Sequence, residues 1–149
     1  MGTTIGKYYE GVLQLRNCSE EALDFVSRMI EKEGVKVAKE ARTKDGVDLY
    51  LSSNKFLKKI GKQLKAKFPG ILKATSKLFT EDKQAGKKIY RGTVLFRMPK
   101  FSVGDSGTFR GDKVKVLSIN TKVMLQDEKT GKKKTYGFDE VDKHLRLSL

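Results

Sequence analysis

One segment near the middle of the chain, residues 53–70, limits the choice of fold more than any other. At 100° per residue, its apolar side chains fall within one arc of a helix and most of its lysines within the opposite arc. The apolar arc consists of Phe56, Leu57, Ile60, Leu64 and Phe68. We name the opposite arc the lysine face, and it consists of Lys55, Lys58, Lys59, Lys62 and Lys65. The segment predicts an amphipathic helix that begins at Ser53 or Asn54 and stops at Pro69-Gly70.

The patterns around this helix place it in a small α+β domain. An earlier helix should start within Asn17–Glu21, where a polar cap precedes two acids, and should end at Gly34. Asp45-Gly46 marks the turn of a hairpin. The predicted strands are Tyr8–Arg16, Val35–Arg42, Val47–Leu51, Ile71–Phe79 and Ile89–Met98. The order βαββαββ predicts a two-layer sandwich over residues 1–98, with both helices on one face of a mostly antiparallel sheet.

The pattern changes at Met98-Pro99-Lys100, where Pro99 ends the preceding strand. Residues 99–149 have turn signals at short, regular intervals and no helical period. The predicted strands there are Ser106–Phe109, Lys113–Leu117, Thr121–Gln126 and Lys133–Phe138. Short strands at this spacing predict a second domain, a small all-β barrel of the SH3-like or OB-like kind.

The formal net charge of +14 indicates the class of partner, because folding does not require so large a charge. Nucleic acid is the first candidate, an anionic membrane surface the second and an acidic protein the third. No apolar run approaches the length needed to span a bilayer, and the N-terminus has no signal peptide. One cysteine, Cys18, fits a reducing compartment. We therefore expect a cytoplasmic protein that does not enter a membrane.

The lysine face is the strongest candidate for contact with RNA. No acid occurs between Leu49 and Thr80, so the helix lacks the ion pairs at i,i+4 that surface helices commonly use. A row of ammonium groups can follow a phosphate backbone, and release of counterions then supplies affinity. The alternative is a solvated basic face that only improves solubility.

Other basic residues are predicted to extend this contact. They are Lys73, Lys77, Lys87, Lys88 and Arg91 in the last hairpin, and Lys132, Lys133 and Lys134 after a turn of the barrel. The lysine triplet could also protect a strand edge from pairing. Lysine greatly outnumbers arginine, which favours recognition of backbone and shape over base sequence. Tyr8 and Tyr9 could stack on bases or could pack against the sheet.

The sequence predicts no enzyme, no metal site and no cofactor. His144 is the only histidine, and no acid or base is positioned near it in the sequence. One cysteine and one histidine cannot form a structural zinc site. Asp105 or the acids near Asp139 could be imagined in a hydrolase or transferase, but no set of base, nucleophile and stabilising group accompanies them. We expect no small-molecule substrate.

Two blocks of the sequence carry a family resemblance. They are Tyr8–Arg16, with the sequence YYEGVLQLR, and Thr43–Ser53, with the sequence TKDGVDLYLSS. The chain resembles the nonsense-mediated mRNA decay protein 3 family in these blocks. It is similar to the family also in the order of the lysine-rich helix, the hairpin with Tyr90–Val94, Gly104-Asp105 and Gly137–Glu140.

The resemblance implies a function on the ribosome. Members of the family are biogenesis factors of the large ribosomal subunit and, in eukaryotes, adaptors for its export. The resemblance implies that residues 1–98 are similar to ribosomal protein L22e and residues 99–149 to the hypusine-bearing translation factor. The expected partners are rRNA and ribosomal proteins on the joining face of the large subunit, near the exit site and the L1 stalk, with the chain itself a monomer.

The chain departs from the family pattern in two respects. It lacks the paired Cys-x-x-Cys zinc ligands and the long C-terminal transport signals of eukaryotic members. We therefore expect a shortened form or a member of archaeal type, and neither zinc binding, nuclear export nor a hypusine is carried over to it. A second hypothesis is a protein-interaction scaffold whose barrel binds a partner protein, with the lysine face incidental.

Overall fold

The computed structural model describes residues 8–82 and 86–148, apart from the side chains of residues 79–82 and 87–89. The chain forms two compact units, and each has its own apolar core. The first unit contains the residues up to Phe68 together with Leu72–Met98. The second contains Pro69–Ile71 and the residues from Pro99 onwards. No helix within the described residues is long and apolar enough to cross a membrane.

The first unit has the predicted order βαββαββ. Its elements are β1 (Gly11–Arg16), α1 (Glu20–Glu33), β2 (Val37–Thr43), β3 (Gly46–Leu51), α2 (Asn54–Lys67), β4 (Ile71–Asp82) and β5 (Lys87–Arg97). The predicted ends of α1 are confirmed, because Ser19 caps its N-terminus and Gly34 ends it with a positive φ of 66°. A left-handed residue satisfies the last carbonyls of a helix, and glycine adopts that conformation without a steric penalty.

The sheet of the first unit has the strand order β2-β3-β1-β5-β4. β3 is antiparallel to both β1 and β2, and β1 is parallel to β5, so the sheet is mostly antiparallel. Alternate side chains of these strands are buried with α1 and α2 in one core. This core includes Leu13, Leu15, Leu49, Leu51, Val94 and Phe96 from the strands and Val26, Ile30, Phe56, Leu57, Ile60 and Leu64 from the helices. The amphipathic α2 therefore packs with the arc that its sequence predicts.

The second unit is a five-stranded antiparallel sheet with one short helix. Its elements are β6 (Ser106–Phe109), β7 (Asp112–Ile119), β8 (Lys122–Asp127), β9 (Lys133–Gly137), α3 (Phe138–His144) and β10 (Leu145–Leu147). The strand order is β10-β6-β7-β8-β9. The core includes Phe101, Phe109, Val116, Val123, Leu125, Phe138 and Val141.

Two expectations for this half need correction. The described strands do not close into a barrel, because the chain leaves the sheet after β9 as α3 and returns at the opposite edge as β10. The half is also not all-β. The predicted strand Lys133–Phe138 ends at Gly137, and Phe138 begins α3, where Phe138 and Val141 are buried on one side.

Candidate nucleic-acid interface

Side-chain hydrogen bonds fix the N-terminus of α2 on the sheet. The Ser53 hydroxyl accepts from the Phe56 N–H at 3.1 Å, as an N-cap does. The Asn54 amide makes two bonds to the backbone of β5: Oδ1 accepts from the Gly92 N–H at 3.3 Å, and Nδ2 donates to the Tyr90 carbonyl at 3.1 Å. The first turn of α2 is thus tied to a neighbouring strand as well as capped.

A carboxylate from outside the helix also lies at this end of α2. Glu10 Oε1 accepts from the Asn54 N–H at 2.8 Å, and the Tyr8 hydroxyl donates to Glu10 Oε2. The first turn of α2 has no acid of its own. Glu10 therefore supplies the negative charge that favours the positive end of a helix dipole. Sequence reasoning missed this contact, because Glu10 lies far from α2 in the chain.

Two glycines let α2 lie close to the sheet. A Cβ on Gly11 would stand 2.5 Å from Leu57 Cδ2, and a Cβ on Gly61 would stand 3.0 Å from Val94 Cγ1. Close contact between a helix and a sheet leaves little room for the helix to rotate. The opposite side of α2, with the lysine face, is therefore held in a defined direction.

The lysine face is largely turned to solvent. Lys55, Lys58, Lys59 and Lys62 are exposed, and Lys65 is half-buried. The row spans about 15 Å along the helix axis, at about 1.5 Å per residue. Lys59 Nζ lies 2.8 Å from Glu33 Oε2 on α1, so an acid from the neighbouring helix already pairs with this lysine. The five residues are thus not equivalent, and Lys59 is the weakest candidate of the face.

Three other lysines of the face have no such ion pair among the described residues. In the part of the chain that the structure describes, no acid lies within ion-pair distance of Lys55, Lys58 or Lys62. Lys67 lies on the other side of the helix, where its Nζ stands 4.6 Å from the centroid of the Phe25 ring on α1. Among the described residues, Lys55, Lys58 and Lys62 thus make no ion pair or ring contact that would hold them within the fold.

The basic residues of β4 do not join the lysine face. Leu72 packs on the core, and side chains alternate along a strand, so Lys73 and Lys77 point away from the helices. Both lysines are exposed. The side chains of Lys87 and Lys88, which the sequence also indicated, lie outside the described residues. The predicted basic residues of the first unit therefore divide between two faces.

Arg91 is part of an aromatic cluster. Its guanidinium lies 3.8 Å from the centroid of the Tyr9 ring, and its Nε donates to the Tyr9 carbonyl at 3.2 Å. Tyr9 meets Tyr50 edge to face, with the ring centroids 4.9 Å apart. Sequence reasoning considered Tyr9 but missed Tyr50, because Tyr9 precedes β1 whereas Tyr50 and Arg91 lie in β3 and β5. The alternation of Asp48 and Tyr50 with buried leucines in β3 was the available signal.

The lysine triplet belongs to the second unit. Lys132 lies in the loop before β9, Lys133 and Lys134 lie on this edge strand, and all three are exposed. Lys132 and Lys134 line a pocket of about 150 Å³ together with the rings of Phe109 and Tyr136. These two rings have their centroids 4.7 Å apart. The triplet thus stands beside an aromatic pocket as well as on an edge.

The candidate catalytic acids have structural roles. Asp105 Oδ2 accepts from the Ser102 N–H at 2.8 Å, and Asp142 Oδ1 accepts from the Lys100 N–H at 3.4 Å. His144 is exposed at the end of α3. Within residues 8–82 and 86–148, no three His, Cys, Asp or Glu side chains gather in a way that could hold a metal ion.

Cys18 lies half-buried beside β1, and its Sγ contacts the carbonyl oxygens of Arg16 and Phe96 at 3.6 and 3.8 Å. Burial raises the pKa of the Cys18 thiol to about 11. The thiolate is the nucleophilic form, so we expect this thiol to react slowly at neutral pH. The contacts indicate a packing role.

A comparison with known families matches most of the first unit. The family model described as the second domain of NMD3 matches residues 8–98. This range covers α2, β4 and the aromatic cluster around Tyr9. No curated protein matches the chain.

Proposed function

The chain belongs to the NMD3 family, and from this premise we propose that it binds the large ribosomal subunit through rRNA. Family membership gives a role in ribosome biogenesis, or as an export adaptor, in general terms. The chain would act as a non-catalytic binding part of such a factor. The match to the second domain of the family lies on the unit that carries α2.

The lysine face is the observation that supports binding through RNA. Its exposed members line one side of a helix whose orientation is set by close packing of Gly11 and Gly61. Lysine ammonium groups attract phosphates as point charges and do not distinguish bases. Such a face suits a folded RNA whose backbone is accessible and whose bases are paired.

The finer features of this proposal come from the resemblance. The contact would lie on the joining face of the subunit, near the exit site and the L1 stalk, with ribosomal proteins as neighbouring partners. The first unit would be similar to ribosomal protein L22e. The second would be similar to the hypusine-bearing translation factor and to SH3-like barrels, although its sheet is open. The protein would act as a cytoplasmic monomer of archaeal type.

Co-sedimentation at physiological salt tests the proposal. Binding to large ribosomal subunits should exceed binding to small subunits and to random duplex RNA, because charge alone would favour all three. Equal binding to all three would leave only a general affinity for RNA and would remove the ribosomal part of the proposal. Crosslinking followed by sequencing of the attached RNA would then locate the contact.

A second candidate function is a scaffold whose second unit binds a partner protein. The observation that favours it is the pocket lined by Phe109 and Tyr136 beside the edge strand β9. Exposed strand edges and aromatic pockets recur where peptides bind. This function predicts an association with ribosomes that persists at high salt, where contacts with rRNA phosphates are weakened. Tyr136→Ala should reduce that remaining association. Association that is lost completely at high salt would count against it.

A further inference from the structure

The sheet of the first unit has a second surface, opposite the one on which α1 and α2 pack. Its side chains alternate with those of Leu13, Leu49 and Val94, which face the helices. We name it the outer sheet face. The pairing of β2, β3, β1 and β5 sets side by side on this face Lys39, Tyr50, Val12 and Thr93.

Aromatic rings and cations meet at one end of the outer sheet face. Tyr9 and Tyr50 form the edge-to-face pair, and the Arg91 guanidinium lies against the ring of Tyr9. The Lys39 ammonium stands 5.4 Å from the centroid of the Tyr50 ring. Lys39 is exposed, whereas Arg91 is held by its hydrogen bond to the Tyr9 carbonyl. The cluster therefore combines two positioned rings with one exposed positive charge.

The charge of this face is positive. Among the paired residues of β2, β3, β1 and β5 whose side chains lie on this face, Asp48 is the one acid. Arg16 Nη2 lies 2.7 Å from Asp48 Oδ1. Both side chains of this pair are mostly buried, so the carboxylate is neutralised within the sheet. Lys39 lies opposite Tyr50 in the pairing, and no acid stands at that position. The ring of Tyr50 thus lies beside an exposed cation that attracts anions.

A ligand that suits this surface has negative charges and flat faces together. Single-stranded RNA has both, because its phosphates alternate with bases that are free to stack on aromatic side chains. A duplex keeps its bases inside the stack, and an acidic peptide has no comparable flat groups. We propose that the outer sheet face binds an unpaired segment of RNA, with a base stacked on Tyr50 and the adjoining phosphate held by Lys39.

In this arrangement the lysine face and the outer sheet face have different tasks. The lysine face follows the backbone of folded RNA, and the outer sheet face takes an unpaired loop or end. Arg91 is a positioning residue, because its contacts orient Tyr9, which in turn supports the edge of Tyr50. The inference rests on the proposed function, since it assigns a second RNA element to the same unit.

A short single-stranded RNA that contains one 2-aminopurine tests the inference, because the fluorescence of this base falls when it stacks. The full chain should quench the emission on binding. Tyr50→Leu should weaken the binding about tenfold or more, the loss expected for one stack between a base and a ring. Unchanged affinity and quenching in Tyr50→Leu would overturn the inference, as would the absence of quenching by the unaltered chain.

Tyr50→Phe is the matched control, since it keeps the ring and removes only the hydroxyl. It should bind and quench like the unaltered chain. If Tyr50→Leu does not fold, as judged by circular dichroism, Lys39→Glu at the exposed sheet edge replaces it. This variant should bind the same RNA more weakly and with a smaller dependence on salt, and equal binding would overturn the inference.

Two further measurements separate this inference from the proposed function. Tyr50→Leu should leave binding to a duplex RNA unchanged, because the duplex offers no free base. Replacement of Lys55, Lys58, Lys62 and Lys65 by Gln should weaken binding to the duplex and leave the quenching at saturating single-stranded RNA in place. If only the Tyr50 prediction fails, the outer sheet face does not bind single-stranded RNA, and duplex binding by the lysine face still stands. If only the lysine prediction fails, the lysine face does not bind the duplex, and the inference about the outer sheet face still stands.

Discussion

A carboxylate that comes from before β1 stabilises the start of α2 alongside the Ser53 cap. Glu10 accepts from the Asn54 N–H and stands where α2 has no acid of its own. A helix that carries so many lysines gains more than most from a negative charge at its N-terminus, since its own side chains supply none there. Glu10 therefore helps to hold in place the helix that carries the lysine face.

Replacing Glu10 by Gln should lower the free energy of unfolding by roughly 1 kcal/mol, because the variant keeps the shape and loses a charge-assisted hydrogen bond at the helix end. Urea unfolding followed by circular dichroism measures the loss. Glu31→Gln is the control, since Glu31 is exposed near the C-terminal end of α1, where a negative charge is not favoured. Equal effects of the two substitutions would contradict the role of Glu10.

Cys18 provides a prediction about pH. Its pKa is raised by burial from 9.0 to about 11, so the folded chain keeps the proton where the unfolded chain has lost it. The contribution of this thiol to stability is fully present below pH 9 and is lost as the pH rises towards 11. At neutral pH, alkylation by iodoacetamide should be slow, because about a hundredfold less thiolate is present than for an ordinary thiol.

The rate of alkylation in the native chain and in urea, measured against pH, checks this prediction. The rate in urea should rise around the ordinary pKa of a thiol and the native rate only at higher pH. Cys18→Ser should remove the part of the alkaline loss of stability that comes from this group. Rapid alkylation of the native chain at neutral pH would show that the thiol is accessible and ionised.

At the scale of the element, α2 is both a core helix and a candidate RNA-binding surface. Replacing Lys55, Lys58, Lys62 and Lys65 together by Gln should weaken binding to large subunits and make it less sensitive to salt. Each lost phosphate contact should lower the slope of log K against log salt by about 0.7 to 0.9. The fold should survive, because like charges at i,i+3 and i,i+4 are removed and no core contact changes.

Two variants of the same helix serve as controls. Ile60 is fully buried, so Ile60→Lys should unfold the first unit by placing a charge in its core. Lys59→Gln breaks the ion pair with Glu33 and should change the salt slope less than Lys58→Gln does. If the slope and the affinity of the quadruple variant are unchanged, the lysine face is only solvated, and the RNA contact lies elsewhere on the chain.

The helices also show which structural features a sequence can predict. The helix starts within Asn17–Glu21 and at Ser53 or Asn54, and the apolar arc of α2, are local patterns that are confirmed, with Ser19 and Ser53 as the caps. The parallel pairing of β1 with β5 joins distant segments, and no local pattern indicates it. α3 was missed because a helix of seven residues buries only Phe138 and Val141, which is too little to establish a helical period.

The candidate site was predictable in part for the same reason. Exposure of the lysine face follows from the period of one segment, whereas the pairing of Lys59 with Glu33 depends on how two helices pack. The cluster of Tyr9, Tyr50 and Arg91 assembles from the segment before β1 and from β3 and β5, so a search along any single segment does not reveal it.

At the scale of the whole molecule, the chain has two apolar cores, and each unit buries its own set of residues. Val123 is fully buried in the second core, and the β-strands that carry Leu13 and Phe96 belong to the first. Val123→Asp should therefore unfold the second unit by burying an unpaired charge, at a cost that exceeds the stability available to so small a core. The first unit should remain folded.

Amide hydrogen exchange measures this directly. In Val123→Asp, protection should vanish in β7 and β8 and persist in β1 and β5. Because the lysine face lies on the first unit, the variant should still bind duplex RNA with an unchanged salt slope, whereas Ile60→Lys should abolish that binding. Loss of protection in both units would show that the two cores unfold together. If the first unit stays protected but duplex binding is lost, the contact with the RNA backbone lies on the second unit. The predicted basic residues there are Lys132, Lys133 and Lys134.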